Sequence, residues 1–356
     1  MAESSVELGF VEKRASWKLK SKFFPSKVGG FPSWLRLNPL PNHEDLICKA
    51  CKKHFVFLMQ VYAPILENEH SFHRTIYIFM CPNAKCNKKF SHDNFVIFRS
   101  QLPRKNEFYS FEPPEEIEKL SSSPSAEDYQ DICEICGCFA SLRCDKCSNK
   151  KYCSEDHKKN DWEWNHKDVC ENDEKDIGKK RQKKLKNYFL LPEFELVTEI
   201  EQLPPEAPEK SDEEKMKEYR QFMQSAKAPK DLQDTQLDDL DSLMKKHDKT
   251  FNKFQKRIKL EPEQVLRYQR KGVPLWVSSE NIPSNSDIPP CCCGAKRDFE
   301  FQVMPQLLNY LSLDQVEESI DWGTLLIYTC SKSCQYGTDG YCKEFLWKQD
   351  FSDSKE

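Results

Sequence analysis

The hydrophobic pattern is uneven along the chain. Six runs are dense in apolar and β-branched residues: 55–66 (FVFLMQVYAPIL), 75–86 (TIYIFMCPNAKC), 95–102 (FVIFRSQL), 299–308 (FEFQVMPQLL), 324–334 (TLLIYTCSKSC) and 345–351 (FLWKQDF). Apolar runs of strand length that are rich in β-formers predict strands. Pro64 and Pro305 end two of them, because proline cannot donate to a sheet ladder. Between the two groups the pattern changes. Residues 111–130 carry prolines, serines and acids with almost no apolar positions and read as a linker. Residues 131–171 form a compact Cys/His cluster. Residues 172–244 are charged and poor in apolar residues, which predicts a partly disordered linker. A helix is expected near Lys245–Lys259, opening a second globular stretch.

The six runs belong to two copies of one series. GGFPSWL (29–35) and CKAC (48–51) precede the first three; KGVPLWV (271–277) and CCCG (291–294) precede the last three. Trp34 to Cys48 is 14 residues and Trp276 to Cys291 is 15. Each copy is small for closing a core alone. Residues 1–110 and 245–356 are therefore expected to pack as the two halves of one composite domain, a mainly β (α+β) fold, with the middle of the chain as an insertion. Charge favours the pairing: residues 1–110 hold 17 Lys/Arg and 9 Asp/Glu, a net of +8, while residues 260–356 hold 9 and 15, a net of −6.

Over all 356 residues, 54 Lys/Arg stand against 58 Asp/Glu, a net of −4, which argues against a nucleic-acid-binding polycation. No apolar run reaches the roughly 18 residues of a membrane span, and the N-terminus has no apolar core of a secretory leader. The 10 glycines include no GxGxxG or GxxxxGK[ST] pattern. Seventeen cysteines without an export signal point to metal rather than disulfides.

The central segment reads C-x2-C-x7-C-x2-C-x5-C-x3-H-x8-H-x3-C, with donors Cys133, Cys136, Cys144, Cys147, Cys153, His157, His166 and Cys170. A C-x2-C turn can place two sulfurs on one ion, and C-x3-H or H-x3-C on a helix puts two donors on one face. Eight donors in four close pairs imply two Zn²⁺ ions, each with four protein ligands and no open position for catalysis. So little apolar material lies in these residues that metal is expected to supply most of the folding free energy. Cys138 falls outside the pairs. The segment's 7 basic and 7 acidic residues argue against a DNA-reading finger.

Cys48, Cys51, Cys81 and Cys86 could hold one more zinc, and Cys291, Cys293, Cys330 and Cys334 its repeat counterpart. The alternative is free, partly buried thiols. Cys292 and Cys342 lie outside these sets. His43, His54, His70, His73, His92 and His247 are scattered and lack metal-pair spacing; His73, at a strand start, reads as structural.

The run CEICGCFASLRCDKCSNKKYCSEDHKKNDWEWNHKDVC, with its YCS, DW and HK-x2-C end, resembles a MYND-type zinc finger. The resemblance implies an interleaved pairing: one zinc on Cys133, Cys136, Cys153 and His157, the other on Cys144, Cys147, His166 and Cys170. It also implies binding of proline-containing peptides, with Trp162 either lining that groove or packing the small core. The flanking blocks GGFPSWL, QVYAPI, FHRTIYIFMC, FRSQLPRKN, PPCCCGAKRDFEFQVMPQLL, DWGTLLIYTCSKSC and FLWKQDF extend the likeness. With the finger they resemble the programmed cell death protein 2 family over nearly the whole chain, outside about 172–240.

That resemblance implies a non-enzymatic chaperone that captures a newly made, basic small-subunit ribosomal protein (protein two of that subunit) and supports 40S assembly. Cytoplasmic and nuclear residence, and links to proliferation, stem-cell maintenance and cell death, come with it. An acidic surface suits such a client, and residues 193–241 hold 15 acids against 6 bases, a net of −9. No small-molecule substrate, membrane or direct nucleic-acid partner is expected. Two rivals remain. One is a transcriptional adaptor acting through the finger, with KKRQKKLK (179–186) as a nuclear localisation signal. The other is an enzyme, for which no cofactor-binding glycine motif and no nucleophile–base set is present.

Overall fold

The computed structural model describes residues 5–118, 124–170, 189–204, 249–311, 320–335 and 340–351. The first half contributes β1 (Glu7–Glu12), β2 (Lys27–Val28), β3 (Val56–Tyr62), β4 (His73–Met80) and β5 (Phe95–Leu102). The finger holds β6 (Leu142–Arg143) and β7 (Lys151–Tyr152), followed by helices α1 (Glu155–Asp161) and α2 (Lys167–Cys170) with a π-turn between them. After it come β8 (Phe194–Ile200), helix α3 (Lys249–Ile258), β9 (Leu266–Tyr268), β10 (Arg297–Val303), β11 (Thr324–Cys330) and β12 (Tyr341–Gln349). Among the described residues, no helix is long and apolar enough to cross a membrane.

Ten strands close one antiparallel barrel in the order β1-β8-β2-β3-β4-β5-β12-β11-β10-β9. The two repeat copies are the meanders β3-β4-β5 and β10-β11-β12, joined where β5 pairs with β12. Each carries a register shift at the same place, between Phe57 and Met59 in the first and between Phe299 and Phe301 in the second. Such a bulge bends the strand and increases its twist. Three residues past each bulge start, a buried glutamine clamps the tryptophan block of its own copy. Gln60 accepts from the Ser33 N–H (2.8 Å) and donates to the Ser33 carbonyl (3.2 Å); Gln302 accepts from the Leu275 N–H (2.7 Å) and donates to the Leu275 carbonyl (3.0 Å). The repeat therefore extends to single hydrogen bonds.

The barrel interior is filled by Met59, Val61, Ile76, Ile78, Leu196, Leu266, Phe301, Val303, Leu325, Ile327 and Leu346, with Trp322 fully buried among them. Alternation along β4 and β5 also turns Arg74 and Arg99 inward. There they meet Glu300 of β10 and Glu344 of β12, all four side chains at 0% exposure. Both pairs join a base of the first half to an acid of the second.

Two features correct the sequence reading. Residues 193–200, assigned to the charged linker, supply β8, which pairs with both β1 and β2. Averaged composition hides it, because acids flank the inward Leu196. Gly29 and Gly30 make room for the returning chain: both have positive φ (60° and 65°), and a Cβ on Gly29 would lie 2.1 Å from the Pro192 carbonyl oxygen. The finger, moreover, is not a free appendage. Cys133, Ile135, Ala140 and Tyr152 share one apolar cluster with Trp34, Phe57, Tyr77, Phe79 and Tyr341 of the barrel wall. Trp34 Nε1 donates to the Gly137 carbonyl (2.8 Å), and Gln130 donates to that of Leu37 (2.7 Å). Packing on the barrel wall thus adds to the support expected from metal. The basic run 179–186, His247 and most of the acidic stretch lie outside the described residues.

Candidate metal centres

Each C-x2-C of the finger folds as a tight turn ended by a left-handed residue. Gly137 (φ 72°) donates its N–H to the Cys133 carbonyl at 2.9 Å, and Ser148 (φ 56°) donates to that of Cys144 at 3.0 Å. These turns aim both sulfurs of a pair the same way. The partner pairs come from helices. Ser154 caps α1 by accepting from the His157 N–H, which sets His157 one turn beyond Cys153. His166 and Cys170 stand one turn apart across the π-turn and α2.

The result is two interleaved quartets, Cys133/Cys136/Cys153/His157 and Cys144/Cys147/His166/Cys170, with the ligand atoms of each within 4.8 Å of one another. In the first, Cys136 and Cys153 sulfurs are 3.5 Å apart, and His157 Nδ1 lies 3.1 Å from Cys153 and 3.5 Å from Cys133. In the second, the Cys144–Cys170 sulfurs are 3.9 Å apart, and His166 Nε2 lies 3.3 Å from Cys147. A tetrahedron with arms of about 2.3 Å has edges of about 3.8 Å. These separations are those of ligands sharing one ion, and every cysteine is free of disulfides. The donor sets fit zinc. Hydrogen bonds from Cys136 and Cys153 hold the Cys133 thiol far below its ordinary range, while bonds to Cys133 and Cys136 push Cys153 far above it. Three thiols this close, beside one imidazole, cannot all ionise without a cation among them. When bound, zinc would cross-link the finger's turns to its helices, with all four positions filled by protein.

The structure also assembles the flanking cysteines. Cys48, Cys51, Cys81 and Cys86 form one quartet, and Cys291, Cys293, Cys330 and Cys334 another, again within 4.8 Å. Cys138 and Cys342 are buried outside the quartets, and Cys292 is exposed. One grouping escaped the sequence reading: His43 and His54 of the first half place their ring nitrogens within 4.8 Å of each other and of Cys153. His54 is buried, and burial together with the nearby His157 drives its pKa down to about 4. His54 and Cys153 stand 99 residues apart in sequence, so no spacing could reveal the grouping. His73 is structural, stacked on Phe24 and bonded to the Tyr62 hydroxyl.

Half-buried, Trp162 packs the small core. It also lines a groove of about 640 Å³ with Lys146, Tyr152, Lys158 and His166, and the Lys146 ammonium sits 4.7 Å from its ring centre.

Comparison with known proteins follows these boundaries. Residues 5–116 match "Programmed cell death protein 2, N-terminal domain", residues 133–170 match "MYND finger", and residues 248–350 match "Programmed cell death protein 2, C-terminal putative domain". The chain is 43% identical to mouse "Programmed cell death protein 2", across 99% of this chain and 98% of the mouse protein. It is equally similar to the rat protein of that name, across 98% of each. A Schizosaccharomyces pombe protein named "Probable 20S rRNA accumulation protein 4" is 35% identical over 99 residues, 25% of this chain and 24% of that protein. No solved structure matches at a significant level. Near-full-length identity at this level, with both flanking domains and the finger in order, means that the chain belongs to the programmed cell death protein 2 family.

Proposed function

We propose that this protein is a non-enzymatic escort for a basic small-subunit ribosomal protein, protein two of that subunit, and that it supports 40S assembly from the cytoplasm and nucleus. The observation that carries this reading is the likeness to a relative named for 20S rRNA accumulation. Charge supports it: residues 260–356 have a net of −6 and residues 193–241 a net of −9. On β8 and its ends Glu199 is exposed, whereas Glu193, Glu195 and Glu201 are already paired with Lys27, Arg14 and Arg257/Arg267. Acidic surface speeds capture of a cationic client and competes with RNA for it. The finger, with two zinc ions, would serve as a structural part docked on the barrel wall.

The groove beside Trp162 favours a second reading, an adaptor that binds proline-containing peptides through the finger and acts in transcriptional or cell-death control. Native mass spectrometry of freshly purified protein with its companions separates the two. The escort reading expects one basic ribosomal protein per chain. RNA or a transcriptional regulator as the dominant companion would overturn it.

A further inference from the structure

We propose that the barrel itself carries two zinc sites outside the finger, one in each repeat copy, with four cysteine thiolates apiece: Cys48, Cys51, Cys81 and Cys86 in the first half, and Cys291, Cys293, Cys330 and Cys334 in the second. The sequence left these cysteines open between ligands and buried thiols. Three independent observations decide for ligands.

The first is distance. Cys48 and Cys86 sulfurs lie 3.9 Å apart, and those of Cys51 and Cys81 3.5 Å. In the second half, Cys291 and Cys334 lie 3.5 Å apart, and Cys293 and Cys330 3.6 Å. These match the edge of about 3.8 Å expected around zinc and exceed a disulfide bond of about 2.05 Å by far. Within each quartet these close contacts cross from one cysteine pair to the other, as four corners of one polyhedron require; outside the quartet, the exposed Cys292 sulfur also lies 3.7 Å from Cys291.

The second is backbone. The turn that presents the finger's cysteines recurs in the barrel. Lys52, left-handed at φ 63°, donates its N–H to the Cys48 carbonyl at 2.8 Å, four residues on, as Gly137 and Ser148 do in the finger. Gly294 (φ 78°) donates to the Cys291 carbonyl at 2.8 Å in a turn one residue shorter, matching the closer spacing of Cys291 and Cys293. A lysine held left-handed is uncommon, and the turn it closes aims both thiols at the other pair.

The third is equivalence. Cys81 follows β4 directly, and Cys330 ends its repeat counterpart β11. Cys48 and Cys51 precede β3 as Cys291 and Cys293 precede β10. Each ion would close the open end of the same hairpin in its own copy.

The second site also touches the junction of the halves. Arg99, from the first half, donates to the Cys334 carbonyl at 2.9 Å and places Nη2 3.7 Å from the Cys334 sulfur. Its partner Glu344 accepts from the Cys330 N–H at 3.1 Å. Zinc with four thiolates carries a net charge of about −2, so the first half supplies a buried cation to a metal site in the second.

The test is the metal content of the full-length chain purified with zinc(II) under reducing conditions, read by elemental analysis and zinc X-ray absorption. The proposal expects about four zinc ions per chain, with an average shell of about 3.5 sulfur and 0.5 nitrogen donors, since two sites offer a histidine and two do not. Two ions per chain with about three sulfurs and one nitrogen each would overturn it. In soluble, folded variants, C51S/C81S and C293S/C334S should each lower the content by one ion and leave the finger's nitrogen signal intact. Should a variant not fold, the wild-type content still decides. An intact mass lower by about 2 Da per linked pair, meaning disulfides, would also overturn it.

Discussion

Arg74 and Glu300 stand 226 residues apart in sequence and form a two-pronged ion pair inside the barrel, Nη1 to Oε1 at 2.5 Å and Nη2 to Oε2 at 2.7 Å, with neither side chain exposed. Thr329 and Tyr268 donate further bonds to the same carboxylate. The pair lies between the two repeat copies, so its formation requires both halves in place. Removing one partner leaves a charge buried alone, which costs about 3–5 kcal/mol. R74M should therefore lower the urea midpoint of zinc-replete protein steeply. R74M/E300L, which removes both charges, should recover much of the loss. Equal loss in the single and double variants would deny the pair this role.

The same carboxylate predicts a pH dependence. Burial opposes ionisation of Glu300, but the charge and hydrogen bonds of Arg74 outweigh it, and its pKa lies below the usual value. A carboxylate with a depressed folded-state pKa contributes stability above its unfolded pKa of about 4.3 and loses it as pH falls through the folded value. E300Q should thus be much less stable than the native chain at pH 7, with the gap narrowing below about pH 4. Chemical denaturation of both proteins across that range checks it; a gap independent of pH contradicts it.

The glutamine clamps predict a loss of stability in each copy. Q60L strands the Ser33 N–H and the Pro25 carbonyl, while the Ser33 carbonyl keeps the Tyr77 hydroxyl; Q302L strands the part-buried Leu275 N–H and carbonyl. Each should cost about 1–3 kcal/mol, because each removes the clamp on its own tryptophan block. A loss at one position alone would show that the copies have diverged in how they are held.

Docking of the finger depends on Trp34. Phenylalanine there keeps the ring against Tyr77, Phe79 and Tyr341 but removes the N–H that Gly137 accepts. W34F should cost about 1 kcal/mol and speed zinc transfer from the finger to a chromogenic chelator. Unchanged transfer kinetics would mean that the barrel wall does not steady the finger.

Much of this was legible because the chain states it twice. Repetition of the tryptophan block, the cysteine pairs and the apolar runs gave the two meanders and their union, and the opposite charge of residues 1–110 and 260–356 anticipated Arg74–Glu300 and Arg99–Glu344 in kind though not by residue. The finger's eight candidate donors were legible from spacing, since C-x2-C and H-x3-C are local geometry, while their interleaving came only with the resemblance. What stayed hidden is non-local or short. β2 has two residues and β9 three, too few for any pattern, and β8 lies among acids. His54 reaches Cys153 only because the finger folds back on the wall, a relation that no sequence interval encodes.

In the proposed escort role the composite barrel, rather than the finger alone, would receive a basic client. Hydrogen exchange of the full chain, with and without a purified basic small-subunit ribosomal protein, tests it most directly. The account predicts slower exchange on strands of both halves, including the acidic β8. Protection confined to residues 133–170 would contradict it and leave the finger as the sole binding module.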